Sequence, residues 1–199
     1  MAKGPQYNLP FRRRRTGRTD YGKRRRLVGS GVPRLVVRPS NKHIAAQLVR
    51  AHPHGDEVLA SAHSSELKEF GWKAPCGNLP AAYLTGLLVG RRAKAKGVTD
   101  AILDIGLHAQ GPGSRVFAAA KGAVDAGVNV PHDDSALPAT ERIQGGHVES
   151  YSKKLASDAE RYKKVFSGYL HQKLKPEDLT NHFKQVEEKV KTAPGEKSS

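Results

Sequence analysis

The sequence predicts an α/β fold: a mixed sheet containing an antiparallel meander, helices packed on it, a basic N-terminal arm and a C-terminal helical extension. Three observations point there. Between residues 34 and 64, short runs rich in Val, Leu, Ile and Ala are separated by turn residues. From residue 78 the apolar spacing changes from two to nearly four, and a helix, a strand and another helix follow, which is the pattern of an α/β layer structure. Positive charge is concentrated at one end: the first 38 residues hold twelve Lys or Arg against one acid, Asp20, and carry +11 of the formal +15.

The arm, residues 1–32, comes first. An Arg cluster as tight as FRRRRTGRTDYGKRRR repels itself and takes its counter-charge from outside the chain, for which polyphosphate is the natural source. Arg suits phosphate because its planar fork of donors matches the oxygens. Tyr7, Phe11 and Tyr21 are interleaved and offer rings on which an unpaired base can stack. The bland alternative is a solvated tail or a nuclear-localisation-like patch. Thr19-Asp20-Tyr21-Gly22 argues for order instead, with Asp20 as a cap.

A globular domain over 33–131 follows. Strands are expected at 34–38 and 43–49, joined at Pro39-Ser40-Asn41-Lys42, with Ile44, Ala46 and Leu48 sharing a face. His52 to Asp56 turns the chain into a third strand with Val58, Ala60 and Ala62 on one side. Asn78 is a plausible cap for a helix through Lys96, with Pro80 in its first turn, Tyr83, Leu84, Leu87 and Leu88 as its apolar side and Gly97 as its stop. A short buried strand is expected over 101–106, then a helix capped by Ser114 with Val116, Phe117, Ala120 and Val124 facing the core, and a last short strand at 128–130.

Residues 132–199 read as a helical extension ending in a disordered tail. A helix opens near Ala139 and is interrupted at Gly145-Gly146; a second is amphipathic through Tyr162, Val165, Phe166, Tyr169 and Leu170; a third starts after Pro176. These helices cannot form a core alone and should pack on the domain or on a partner.

Composition limits the function classes. One cysteine, Cys76, excludes an internal disulfide and fits a reducing compartment. There is no apolar N-terminal signal region, and the longest apolar run, about twelve residues, falls short of the roughly twenty needed to span a bilayer. A soluble intracellular protein with no membrane partner and no small-molecule substrate is expected.

Several sites offer chemistry. Residues 106–114 have the glycines and hydroxyl of a phosphate-binding loop but Gly113 where such a loop has lysine, so helix capping or a single phosphate contact near Ser114 and Arg115 is the expectation. Asp100, Asp104, Asp125, Asp133 and Asp134 raise a metal-dependent nuclease using carboxylates around Asp104, since such chemistry needs carboxylates converging on metal ions. His52, His54 and Cys76 lack the spacing of a zinc set, and Cys76 has no activating base. Trp72 and Lys68 either contact RNA or cover the sheet edge. No cofactor is expected.

Several blocks in order, TDYGKRRRL, PRLVVRPSNKHIAAQLV, GWKAPCGNLPAAYLTGLLVGRRA, PGSRVFAAAKGAVDAG and VPHDDSALPATERIQGGHV, resemble the archaeal and eukaryotic branch of the L-eighteen ribosomal proteins. The likeness runs from about residue 7 to residue 191. It implies a non-catalytic constituent of the large ribosomal subunit, in the cytoplasm, that binds 5S rRNA and anchors it to 23S rRNA and neighbouring ribosomal proteins. RNA contact then falls on Arg12, Arg13, Arg14, Arg15, Arg18, Tyr21, Lys23, Arg24, Arg25, Arg26, Arg34 and Arg38, with Asn41, Lys42 and His43 at the hairpin tip. One departure from the family pattern is Gly146, where an acidic residue is expected.

Overall fold

The computed structural model of the chain describes residues 4–107 and 111–193. The arm carries two helices, α1 (Arg12–Arg15) and α2 (Tyr21–Gly29). Asp20 caps α2 as expected: its carboxylate accepts from the backbone N–H of Gly22 and Lys23 at 2.9 and 3.1 Å. The Lys23 amide contributes most to holding that carboxyl below its usual range.

Strands β1 (Arg34–Pro39), β2 (Ile44–Arg50) and β3 (Glu57–His63) form the expected meander. Helix α3 (Leu79–Ala95) follows, then β4 (Ile102–Asp104), which pairs with β1 in parallel. The order is β3-β2-β1-β4, a mixed sheet. Residues 128–130 make only one parallel bridge, Asn129 to Asp100, in place of a strand.

One face of the sheet, through Leu35, Val37, Ile44, Ala46, Leu48, Ala60 and Ala62, is fully buried. Val58 departs from the expected pattern. Leu48 pairs with Ala60 but Val49 with Val58, so a bulge inserts Leu59 and turns Val58 to the other face, where it is 49% exposed.

Asn78 caps α3 through Ala81 N–H at 2.9 Å, and Gly97 (φ 74°) ends it. The apolar side expected for α3 is only part of its buried surface: residues 80–90 are buried all round. The sheet covers one side, and two further helices, α4 (Arg115–Asp125) and one near the C-terminus, cover the others. Of the core face expected for α4, Val116 and Ala120 are fully buried, and the α3–α4 seam explains why Phe117 and Val124 are not. A Cβ at Gly86 would overlap the Ala119 carbonyl, and one at Gly122 the Tyr83 carbonyl, so the backbones touch. Ala118, Ala119, Gly122 and Ala123 are buried there, while Phe117 and Val124 are only partly buried.

The C-terminal segment contains α5 (Thr140–Gln144), α6 (Gly146–Leu155), α7 (Ala159–Val165), α8 (Ser167–His171) and α9 (Leu179–Thr192). Gly145, at φ 92°, makes the break between α5 and α6 that the sequence suggested. The single amphipathic helix expected around Phe166 is two, α7 and α8. Because the axis breaks at Phe166, Val165 and Leu170 are 46% and 38% exposed while Phe166 and Tyr169 are buried. Helix α9 lays Leu179, Phe183, Val186 and Val190 into the core, each 1% exposed or less. The Tyr83 hydroxyl shares its one proton between Asp125 on α4, at 3.0 Å, and the more distant Glu187 on α9, at 3.4 Å, linking both helices to α3. Residues 194–199, at the end of the segment expected to close in a disordered tail, lie outside the described residues.

Candidate nucleic-acid interface

On the face of the sheet away from α3, the side chains that alternate with the buried row of β1 point outward: Arg34, Val36 and Arg38. The arm folds over this face and leaves a cleft of about 610 Å³. Arg13, Arg18, Lys23, Arg24 and Arg26 line it from the arm; Arg34, Arg38, Gln47, Val49 and Val58 line it from the strands.

A chain of ion pairs crosses the floor. Arg24 reaches Asp56 at 2.7 Å, Asp56 reaches Arg34 at 2.8 Å, Arg34 reaches Asp104 at 2.8 Å, and Asp104 reaches Arg38 at 2.9 Å. Arg34 is only 3% exposed, so each carboxylate beside it offsets the cost of taking its charge out of water. Burial by itself raises the Asp104 carboxyl. The Arg38 hydrogen bond and charge, the Gly106 N–H and Arg34 outweigh that and hold it below its usual range. Asp56 is held low in the same way, its burial outweighed by Arg24 and then Arg34. Gly106, at φ 68°, lies against the Arg38 guanidinium, where a Cβ would come within 3.0 Å of Cζ. That glycine of the supposed phosphate loop therefore seats an arginine.

Asp56 is the residue that sequence reasoning passed over, as part of a turn. It joins α2 to β1 and so orients the arm. Its signal was faint: an acid at the mouth of a strand whose two arginine partners stand 22 and 32 positions away in sequence.

The expected contact residues divide by environment. Arg12, Arg13, Arg14 and Arg15 are exposed on α1, and Lys23, Arg25 and Arg26 are exposed on α2. Among the described residues none of these has a carboxylate partner within ion-pair distance; Arg13 donates to the Thr19 hydroxyl at 2.9 Å. Tyr21 is half-buried, its ring 5.1 Å from that of Phe11. Arg34 is buried beneath the cleft, and Arg38 keeps 40% of its side chain exposed. Asn41, Lys42 and His43 lie beyond the cleft walls, on a hairpin tip tied down by Arg115, which donates to the Ser40 and Gly77 carbonyls at 2.8 and 2.9 Å.

The competing sites resolve differently from their sequence patterns. Asp100 accepts from Thr99 and Asn129, Asp125 from Tyr83, and Asp133 from Ser135 N–H. Among the described residues no three His, Cys, Asp or Glu side chains gather where they could share a metal ion. Part of the Gly-rich loop, 108–110, lies outside the described residues. Ser114 stands at the start of α4 without a side-chain cap, its Oγ buried and unpartnered, and Arg115 is committed to the hairpin tip. Trp72 is 3% exposed and stacks on His182 of α9 at 5.2 Å, so it belongs to the core. Cys76 is buried, and that burial pushes its thiol up, away from the nucleophilic range. No helix among the described residues is long and apolar enough to cross a membrane.

An α/β domain carrying an oriented, largely uncompensated cationic arm is the build of a protein that docks on a polyphosphate backbone. The family model for ribosomal large subunit proteins 60S L5 and 50S L18 matches residues 5–102 and 93–133, together well over half of the chain. The protein belongs to this family of large-subunit ribosomal proteins, and its place is in the ribosome among rRNA and other ribosomal proteins. Helices α5 to α9 lie outside the matched residues.

Proposed function

We propose that this protein is a non-catalytic RNA-binding constituent that grips 5S rRNA with its arm and the cleft beneath it, and holds it against 23S rRNA and neighbouring proteins. The observation that supports this reading is the division of labour along the arginines. Arg24, Arg34 and Arg38 share Asp56 and Asp104, while the exposed cations of α1 and α2 have no such partners among the described residues. The paired set positions; the unpaired set holds phosphate. Arg34, at 3% exposure, acts from below by fixing the arm's orientation, and the residues of the hairpin tip add a secondary contact.

If on the order of eight phosphates are neutralised, log affinity for 5S rRNA falls with log salt at a slope of about −7, by the rule for duplexes. Titration against 5S rRNA, in competition with random duplex DNA at physiological salt, tests the proposal. A steep slope with preference for 5S rRNA is the expected result; a flat salt response, or no preference, overturns it. The carboxylates offer the nuclease reading no comparable support, because Asp104 is spent on two arginines.

A further inference from the structure

A second hollow, of about 410 Å³, runs along a neighbouring stripe of α2. Tyr21, Arg24, Arg25 and Val28 line it from the helix, at the i, i+3, i+4, i+7 spacing that puts them on one face. Ala51, His52 and Pro53, just beyond β2, line it from the domain. We infer that this hollow receives a single unstacked nucleobase of the bound RNA. The inference rests on the reading of the arm as an RNA-binding element.

The lining matches what an isolated base needs. Its flat faces require rings, planar cations or apolar side chains to pack on, its polar edges keep their hydrogen bonds to water at the open side, and its flanking phosphates require charge at the rim. Tyr21 supplies a ring, with that of Phe11 tilted beside it at a centroid distance of 5.1 Å. Arg24 supplies a guanidinium held in place by Asp56 at 2.7 Å, so little freedom is lost when a base stacks on it. Val28, Ala51 and Pro53 form the apolar floor. Arg25 stands exposed at the rim with no carboxylate partner among the described residues, free for a phosphate. Duplex RNA has no base to place here, so the hollow favours an RNA with a bulge or loop at the arm.

Stacking and phosphate contacts respond differently to salt, and that difference is the test. Affinity for 5S rRNA is measured as a function of salt for the full-length protein and for Tyr21→Leu, Tyr21→Phe and Val28→Trp, each checked for cooperative melting. Tyr21→Leu keeps an apolar side chain but loses the ring, and Val28→Trp fills the hollow. Each is expected to weaken binding about tenfold, a typical loss for one base–aromatic stack, with the salt slope unchanged, while Tyr21→Phe binds as the parent does. Parent-like affinity in both Tyr21→Leu and Val28→Trp overturns the inference, and so does a weakening accompanied by a slope change of about one unit, the signature of a lost phosphate contact. If the parent itself shows no preference for 5S rRNA, the underlying reading of the arm is what fails.

Discussion

Replacing Asp104 by Asn keeps the shape of the side chain and removes its charge. The carboxylate is the shared partner of Arg34 and Arg38, and its own side chain is only 10% exposed. Stripping one member from a buried pair costs about 3–5 kcal/mol, because the remaining charge stays out of water. Arg34 retains Asp56, which places the loss near the lower end, about 3 kcal/mol. Arg38, 40% exposed, is solvated well enough to add at most about 1 kcal/mol. For a chain of this size the loss lowers Tm by about 6–12 °C at neutral pH, read by calorimetry or circular dichroism. The deficit also has a defined pH dependence. The folded protein holds the Asp104 carboxyl below the ordinary 3.8, so its stabilisation is complete above that value and disappears as pH falls through the folded value. Parent and variant therefore converge in acid. A Tm within about 2 °C of the parent at pH 7, or a gap that persists unchanged in strong acid, refutes the buried-pair account.

Arg13→Ala with Arg14→Ala should weaken 5S rRNA binding and lower the magnitude of the salt slope by about two units; an unchanged slope means these side chains are idle. His182 accepts from Lys73 N–H at 3.1 Å through Nε2, and burial, with Lys73 and Lys189 nearby, lowers its pKa below the ordinary 6.5. Its contribution to docking α9 is therefore complete above pH 6.5 and lost as pH falls through the folded value. The emission of Trp72, the sole tryptophan, should report this step, and His182→Phe should remove it; a parent whose emission is flat through that range contradicts the assignment. Gly86→Ala forces α3 and α4 apart and should cost about 2–3 kcal/mol, seen as a lower urea midpoint at unchanged m, whereas an unmoved midpoint shows that the seam can yield.

Features decided by a few adjacent residues were legible in the sequence. Asp20 and Asn78 cap the helices predicted for them, Gly97 and Gly145 end theirs, and β1 to β3 lie where turn residues divide the alternating runs. Features decided by distant partners were not. Asp104 meets Arg34 across 70 positions, so a carboxylate that is half of an ion-pair chain looked like a candidate metal ligand. Asp56 meets Arg34 across 22 positions and looked like turn chemistry. Val58 was misplaced because a bulge reverses the alternation locally. Val116 and Ala120 of the α4 core face are buried as expected, but Phe117 and Val124 were misplaced there because close backbone approach rewards Gly and Ala over the larger side chains that periodicity weighs. The positive charge of the arm was visible at once; the sorting of its arginines into paired and unpaired sets needed the fold.

The central claim is tested most directly by a structure of the large ribosomal subunit containing this protein. The account predicts α1 and α2 lying along 5S rRNA, with the guanidinium groups of Arg12 to Arg15 and Arg25 and Arg26 at hydrogen-bond distance, about 3 Å, from phosphate oxygens. An arm directed into solvent, with those groups touching no phosphate, contradicts it.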